Sequence, residues 1–253
     1  MPMTKITIAT VCFNSEATIE RTLRSVEEQD YPAVEHLFID GASTDGTLRL
    51  LNNYQTRSPH EVVVVSEKDH GLYDAMNKAL ARATGDYIVF LNAGDRLHST
   101  DTLRIVAEKA AAEGSGVVYG ETDLVDNDGH FLRHRRLQAP QVLTSRSFLQ
   151  GMLVCHQSFY AKVSIARTTP YNLNYRLSAD VDWCIRIMKE AERESLPLTN
   201  THAVLTDYLS EGMTTQHHRA SLIERFHVMA HHYGLATTVG QHVWFALRSV
   251  LKR

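Results

Sequence analysis

The feature that most constrains this chain is the alternation, through its first 120 residues, of short β-branched runs with helical patterns. Ile6 to Cys12, His36 to Asp40, Val62 to Ser66, Tyr87 to Asn92 and Val117 to Tyr119 read as strands. After the first of them, Ile19, Leu23 and Val26 fall at i, i+4 and i+7, behind Asn14 or Ser15 as a cap and ahead of Pro32. Leu48 to Tyr54, Leu72 to Ala83 and Asp101 to Ala112 repeat the helical pattern. Strands separated by helices are joined by crossovers, and crossovers make neighbouring strands parallel, so the expected fold is α/β around a mostly parallel sheet. After Gly120 the alternation stops. Leu124 to Leu132, with Asp128-Gly129 in the middle, reads as a hairpin. A helix over Ala179 to Glu190, a strand over Ala203 to Leu209 and two closing helices follow, roughly Thr215 to Tyr233 and Thr238 to Lys252, parted near Gly234.

In an open α/β sheet, ligands bind outside the carboxyl ends of the strands. This sequence gathers its polar residues there: Asn14 after the first strand, Asp40 to Gly46 after the second, Glu67 to Gly71 after the third and Asn92 to Asp95 after the fourth. Composition narrows the ligand. With 26 Lys and Arg against 29 Asp and Glu, the chain lacks the basic excess of a nucleic-acid binder. No apolar run reaches the roughly 18 residues of a membrane span, and the N-terminus enters a strand without a secretion signal. Cys12, Cys155 and Cys184 are too dispersed for a disulfide framework or a paired-cysteine metal site, which favours a reducing cytoplasm. Neither Gly-x-Gly-x-x-Gly nor a P-loop occurs. Gly41 to Gly46 has the P-loop gap without its lysine, and by itself reads as a strand-to-helix turn capped by Ser43 or Thr44.

Four segments in order carry a resemblance: Thr10-Val11-Cys12-Phe13-Asn14, the Asp40 to Thr47 turn, Gly71-Leu72-Tyr73-Asp74-Ala75-Met76-Asn77-Lys78, and Thr84 to Asp95. Together they resemble the inverting glycosyltransferases of family 2, with the GT-A fold. Within the family the wording is most similar to transferases of bacterial capsule, O-chain and colanic-acid-type polysaccharide synthesis. The resemblance implies a catalytic domain over 1–212, with a nucleotide-binding half (1–120) and an acceptor half (121–212), followed by a helical extension over 213–253. It implies a sugar nucleotide as donor, a UDP-sugar, and a saccharide or lipid-linked saccharide as acceptor. Asp40 would then bond the base or ribose and Phe13 cover the base, while Thr10 and Asn14 either touch the ligand or only end the strand and cap the helix. Lys68, Asp74, Asn77, Asn92, Ala93 and Gly94 complete the implied donor site. The family commonly has two acidic residues before the small-residue turn, whereas Gly41 stands second here. Its Asp-x-Asp-type motif is reduced to Asn92-Ala93-Gly94-Asp95, leaving Asp95 as the ligand of Mn²⁺ or Mg²⁺ against a leaving diphosphate.

Inversion needs a carboxylate opposite the leaving group to take the acceptor's proton. Ser178-Ala179-Asp180-Val181-Asp182-Trp183 resembles the family's acidic helix start, with Asp180 as the base and Asp182 as runner-up. Asp182, Trp183 and the pair His156-Gln157 would line the acceptor or donor-sugar pocket. The rivals are a sugar nucleotidyltransferase, which ordinarily shows a Gly-rich basic loop after its first strand, and an inactive sugar-nucleotide-binding subunit, suggested by the missing carboxylates at positions 92 and 94.

Other features have plainer readings. His130 to Arg136 reads as a solvated hairpin edge, with an anionic acceptor or membrane surface as the alternative. Glu224, His227 and His231 share a helix face without a zincin motif. His217 and His218 follow a Gly212-Met213-Thr214 loop able to close over donor phosphates. Val243, Trp244, Leu247, Val250 and Leu251 form a stripe near Arg248, Lys252 and Arg253, fit for core packing, a homodimer, or peripheral binding to the inner face of the cell membrane.

Overall fold

The computed structural model describes residues 3–210 and 218–251. The expected loop over 212–214, His217 and the first three residues of the expected helix from Thr215 lie outside them, as do Lys252 and Arg253. The first half runs β1 (Ile6–Cys12), α1 (Ile19–Glu27), β2 (Val34–Asp40), α2 (Thr47–Arg57), β3 (Glu61–Ser66), α3 (Leu72–Arg82) and β4 (Tyr87–Phe90). A two-residue β5 (Arg96–Leu97), α4 (Thr102–Glu113), β6 (Val117–Val125) and β7 (Phe131–His134) follow. The second half adds β8 (Phe159–Lys162), α5 (Val163–Thr168), α6 (Ala179–Arg193), β9 (Leu198–Leu209), α7 (His218–Tyr233) and α8 (Leu235–Leu251).

The strands form one sheet in the order β3-β2-β1-β4-β8-β6-β9-β5, with β7 paired to β6. The pairs from β3 to β4 are parallel, as the helical crossovers require. Beyond β4 the sheet is mixed: β8 is antiparallel to β4 and β6, while β9 is parallel to β6. All seven residues of β1 are buried, because helices cover both faces. Ile6 and Ile8 join a core with Leu103, Val106 and Ala107 of α4, whereas Ala9 and Val11 face Met76 and Leu80 of α3 and the buried side of α6. Cys12 lies level with Asp40, and Asp40 with Ser66, so three strand ends open on one edge.

Several boundaries moved for physical reasons. Asn14 and Ser15 do not cap α1, which starts at Ile19 behind Thr18 with no side-chain cap. Nor do Ser43 and Thr44 cap α2, which starts after Gly46. The strand expected to stop at Tyr119 continues to Val125, so the boundary expected at residue 120 falls inside β6. Gly120 permits this: a Cβ there would stand 2.6 Å from the carbonyl of Ala203, where β6 and β9 shift register. The hairpin forms, its turn held by Asp126, whose Oδ1 accepts from the N–H groups of Asp128 and His130.

Candidate active site

Asp40 closes β2 fully buried, and its carboxylate is occupied by the protein itself. Oδ2 accepts from the Ser43 N–H at 3.0 Å and the Ser66 hydroxyl at 2.6 Å, while Oδ1 accepts from the Ser43 hydroxyl. The residue expected to hold a base or ribose therefore organises the turn. Asn14, at φ 47°, does the same from β1, its Oδ1 accepting from the Thr44 N–H at 2.9 Å. Thr10 is buried and bonded to His36 at 3.0 Å, away from the strand ends. What the edge does present is Phe13, 61% exposed, and a carboxylate that sequence reasoning passed over. Asp69, tied to the Gly71 N–H through Oδ1, leans across the β2 turn until its Oδ2 is 2.6 Å from where a Cβ on Gly41 would stand. Gly41 thus makes room for Asp69. The missing second acid after β2 is matched by a carboxylate arriving from β3.

Asp95 closes a tight turn after β4, its N–H donating to the Asn92 carbonyl. Its buried carboxylate accepts from the Leu209 N–H and from Gln157 Nε2, each at 2.9 Å. Burial pushes its pKa up to about 6, with those two hydrogen bonds and the charges of His156 and Arg21 working the other way. Gly94 (φ 101°) packs against Thr18 and Leu209, and Ala93 bridges to Asp95, so both shape the turn. Asn92 Oδ1 is buried with no hydrogen-bond donor. That orphaned oxygen, in the same turn as a carboxylate with lone pairs to spare, suits a hard divalent cation. Among the described residues, His98, Asp123 and Asp207 also cluster, as do Asp126, Asp128 and His130. Neither group includes Asp95, and both are engaged already: Arg96 and His98 pair with Asp207, His134 with Asp123, and Asp126 holds its turn.

His156 joins this turn to the second half. Its Nε2 lies 3.5 Å from the Asn92 amide and its Nδ1 3.3 Å from Asp180 Oδ2. Asp180 sits in the first turn of α6, its side chain 19% exposed, with the Tyr73 hydroxyl 3.4 Å from Oδ1. These long contacts orient the carboxylate without saturating it. Burial would raise its pKa, but the His156 hydrogen bond and charge, with the charge of Arg225, hold it below the usual carboxylate value. The helix alternation turns its neighbour away. Asp182, only 2% exposed, accepts from Arg186 Nε and contacts His232 Nε2 of α7, both at 2.8 Å.

Other expected contributors are structural. Trp183 is not a pocket residue: it is fully buried among Phe90, Phe159 and Tyr171, and its indole N–H donates to the Thr169 carbonyl. Burying a side chain of that size contributes about 3 kcal/mol. Gln157 is also buried and acts through Asp95. Asn77 clamps the Tyr171 backbone through both amide atoms, and Asp74 accepts from the His70 N–H and pairs with Lys78. Lys68 is exposed at the same edge. Glu224 bonds backbone N–H groups, leaving His227 and His231 exposed, and Arg135 braces carbonyls of Leu137, Met152 and Leu153.

Comparison with known proteins bears on this arrangement. The sequence model of glycosyl transferase family 2 matches residues 7–168. A PGL/p-HBAD biosynthesis glycosyltransferase of Mycobacterium bovis is 32% identical over 213 residues, covering 83% of this chain and 78% of the relative. The putative teichuronic acid biosynthesis glycosyltransferase TuaG of Bacillus subtilis is 31% identical over 149 residues, 59% of this chain and 58% of its own. Among solved structures, S. aureus TarS 1-349 in complex with UDP-GlcNAc superposes with a TM-score of 0.70 at 16% identity, covering 95% of this chain and 73% of that one. The mannosyltransferase PcManGT from Pyrobaculum calidifontis, in complex with GDP-Man and Mn²⁺, gives 0.65 at 19% identity, covering 98% and 76%.

Proposed function

Because the chain belongs to glycosyl transferase family 2, we propose that it moves a sugar from a UDP-sugar to a hydroxyl of a carbohydrate or lipid-linked oligosaccharide, with inversion, in bacterial surface polysaccharide synthesis. It is a glycosyltransferase of the GT-A fold. The observation that carries the mechanistic reading is the pair of aspartates on α6: Asp180 holds only long contacts, to His156 and Tyr73, while Asp182 is locked to Arg186 and His232.

In this reading Phe13 covers the uracil and Asp69, across Gly41, accepts its imide N–H. Asn92 and Asp95 would hold Mn²⁺ or Mg²⁺, which would supply charge neutralisation for the diphosphate. Asp180 takes the proton of the acceptor hydroxyl as its oxygen bonds to the anomeric carbon, and the bond from that carbon to the diphosphate breaks on the opposite face. A depressed pKa keeps Asp180 ionised and ready at neutral pH. His156 and Tyr73 orient it. Three free cysteines accord with work in a reducing cytoplasm. An oriented carboxylate that its partners do not saturate also favours a working transferase over an inactive binding subunit.

Calorimetry with UDP, GDP and dTDP in the presence of Mn²⁺ is the direct test, and UDP is expected to bind most tightly. At a hundred times its Kd, a bound nucleotide should also stabilise the fold by about 2.7 kcal/mol. Failure of all three to bind at millimolar concentration overturns the reading.

A further inference from the structure

Helix α8 is built inside out. A surface helix ordinarily turns its apolar stripe to the core. Here the arc that packs inward carries Thr238, Gln241 and His242 with Phe245, and the arc that faces out carries Leu235, Val239, Val243, Trp244 and Leu247. Each of these five is between 44% and 63% exposed. Leu235, Val239, Val243 and Leu247 recur every fourth residue, so they form one continuous stripe along the helix. Leu222 and Ile223 of α7 are exposed as well. Seven of the thirteen exposed large hydrophobics among the described residues therefore belong to this helix pair. Isolated surface leucines need no explanation, but a contiguous stripe of this kind marks a docking face.

Charge selects the occupant. From Arg225 to Arg253 the sequence has no Asp or Glu, while it has four Arg or Lys and four His, in a chain whose net charge is −3. A second copy would bring the same stretch of sequence against itself, its Arg248, Lys252 and Arg253 meeting no Asp or Glu of that stretch to offset them. An anionic phospholipid surface offers both an apolar layer for the stripe and phosphates for the basic residues. Trp244 is the residue type that settles at such a boundary. No described helix is long and apolar enough to cross a membrane.

We infer that the outward face of α8 docks on an anionic bilayer, with the helix lying in the interface plane. The same helix pair braces the entrance to α6. Glu224 accepts from the N–H groups of Arg176 and Leu177, Ser178 donates to the Ser221 carbonyl, and His232 contacts Asp182. Docking therefore holds the Asp180 edge near the surface where a lipid-anchored acceptor would reside. That last consequence rests on the transferase reading; the docking itself does not.

The chain has two tryptophans, Trp183 fully buried and Trp244 53% exposed, so a fluorescence change on contact with lipid reports α8. The full chain is mixed with vesicles of phosphatidylcholine alone or with phosphatidylglycerol. Flotation and a blue shift are expected only with phosphatidylglycerol, and both should weaken as salt rises. The double variant V239E/V243E, with unchanged circular dichroism and UDP affinity, should neither float nor shift. Arg248→Ser should lower vesicle affinity about fivefold, the equivalent of about 1 kcal/mol for one basic residue at an anionic surface. Absence of flotation at low salt overturns the inference, as does equal flotation of V239E/V243E. A dimer in light scattering that V239E/V243E dissolves, without lipid binding, would assign the face to a second copy instead.

Discussion

The end of β2 and the first turn of α6 each carry an aspartate at the same edge of the molecule, and they treat it in opposite ways. Asp40 is enclosed and bonded by two serines from its own turn and the neighbouring strand. Asp180 is partly exposed and has only long contacts, to His156 and Tyr73. The first site resists rearrangement because three short bonds already hold its carboxylate, while the second can exchange a weak partner for a substrate hydroxyl at little energetic penalty. Polar letters at strand ends thus have two physical fates. Some build the rim, and others are left open on it.

The comparison is tested most severely by Asp180→Asn, which keeps the shape but cannot take a proton. Turnover should fall roughly 10²- to 10⁴-fold with donor affinity and melting temperature nearly unchanged, read by steady-state kinetics and calorimetry. Intact turnover would place the base elsewhere. Asp182→Ala comes next, and it should behave like a rim residue: about 3–5 kcal/mol of stability lost in urea unfolding, because Arg186 and His232 lose a buried counter-charge. The pKa of Asp182 is depressed from 3.8, so its stabilising contribution is present above that pH and is lost as pH falls through the lower folded-state value. Asp40→Ala should cost about 4.5 kcal/mol, three charge-assisted hydrogen bonds at roughly 1.5 each, measured the same way.

Asp95 stands between the two kinds. Its pKa of about 6 means that it is protonated below that pH. Mn²⁺-assisted UDP affinity should weaken about tenfold for each pH unit below 6. The metal-free protein should show the reverse trend, losing up to about 3 kcal/mol from this group as pH rises from near 4 through 6, since burial disfavours the ionised form. A flat profile in both experiments would remove Asp95 from the metal site. The smallest effect is expected at Thr10→Val, about 1 kcal/mol of stability for the lost bond to His36 and no change in UDP affinity. A measurable change in Kd would mean that the strand interior reaches the ligand.

The same distinction explains what the sequence disclosed. Strands β1 to β4 and the helices between them were legible because period and punctuation are local: Ile19, Leu23 and Val26 have to share a face wherever the helix lies. The different environments of Asp180 and Asp182 followed from helix geometry, but their partners did not, since His232 comes from a helix fifty residues away in sequence. Tyr73 and Arg225 escaped notice for that reason, each acting on Asp180 through tertiary approach. Asp69 was within reach, in a polar cluster already marked as a strand end, yet only the close approach to Gly41 distinguishes it from Lys68 beside it. The caps differ from the expectation because Asn14, Ser43 and Thr44 bond to one another's loops. The apolar stripe on α8 was visible as a pattern, whereas its outward direction belongs to packing alone.

The contact between Gly41 and Asp69 carries a consequence for sequence variation in related chains. A Cβ at position 41 and the carboxylate of residue 69 in its present rotamer compete for one volume of space, so the two positions are coupled. A relative with an acidic residue after β2 should show a smaller or neutral residue at the place of Asp69, and a relative with glycine there should retain the acid. Gly41→Asp, introduced alone, then forces the Asp69 carboxylate to swing aside and sets two acids against each other, a conflict that Asp69→Asn should relieve.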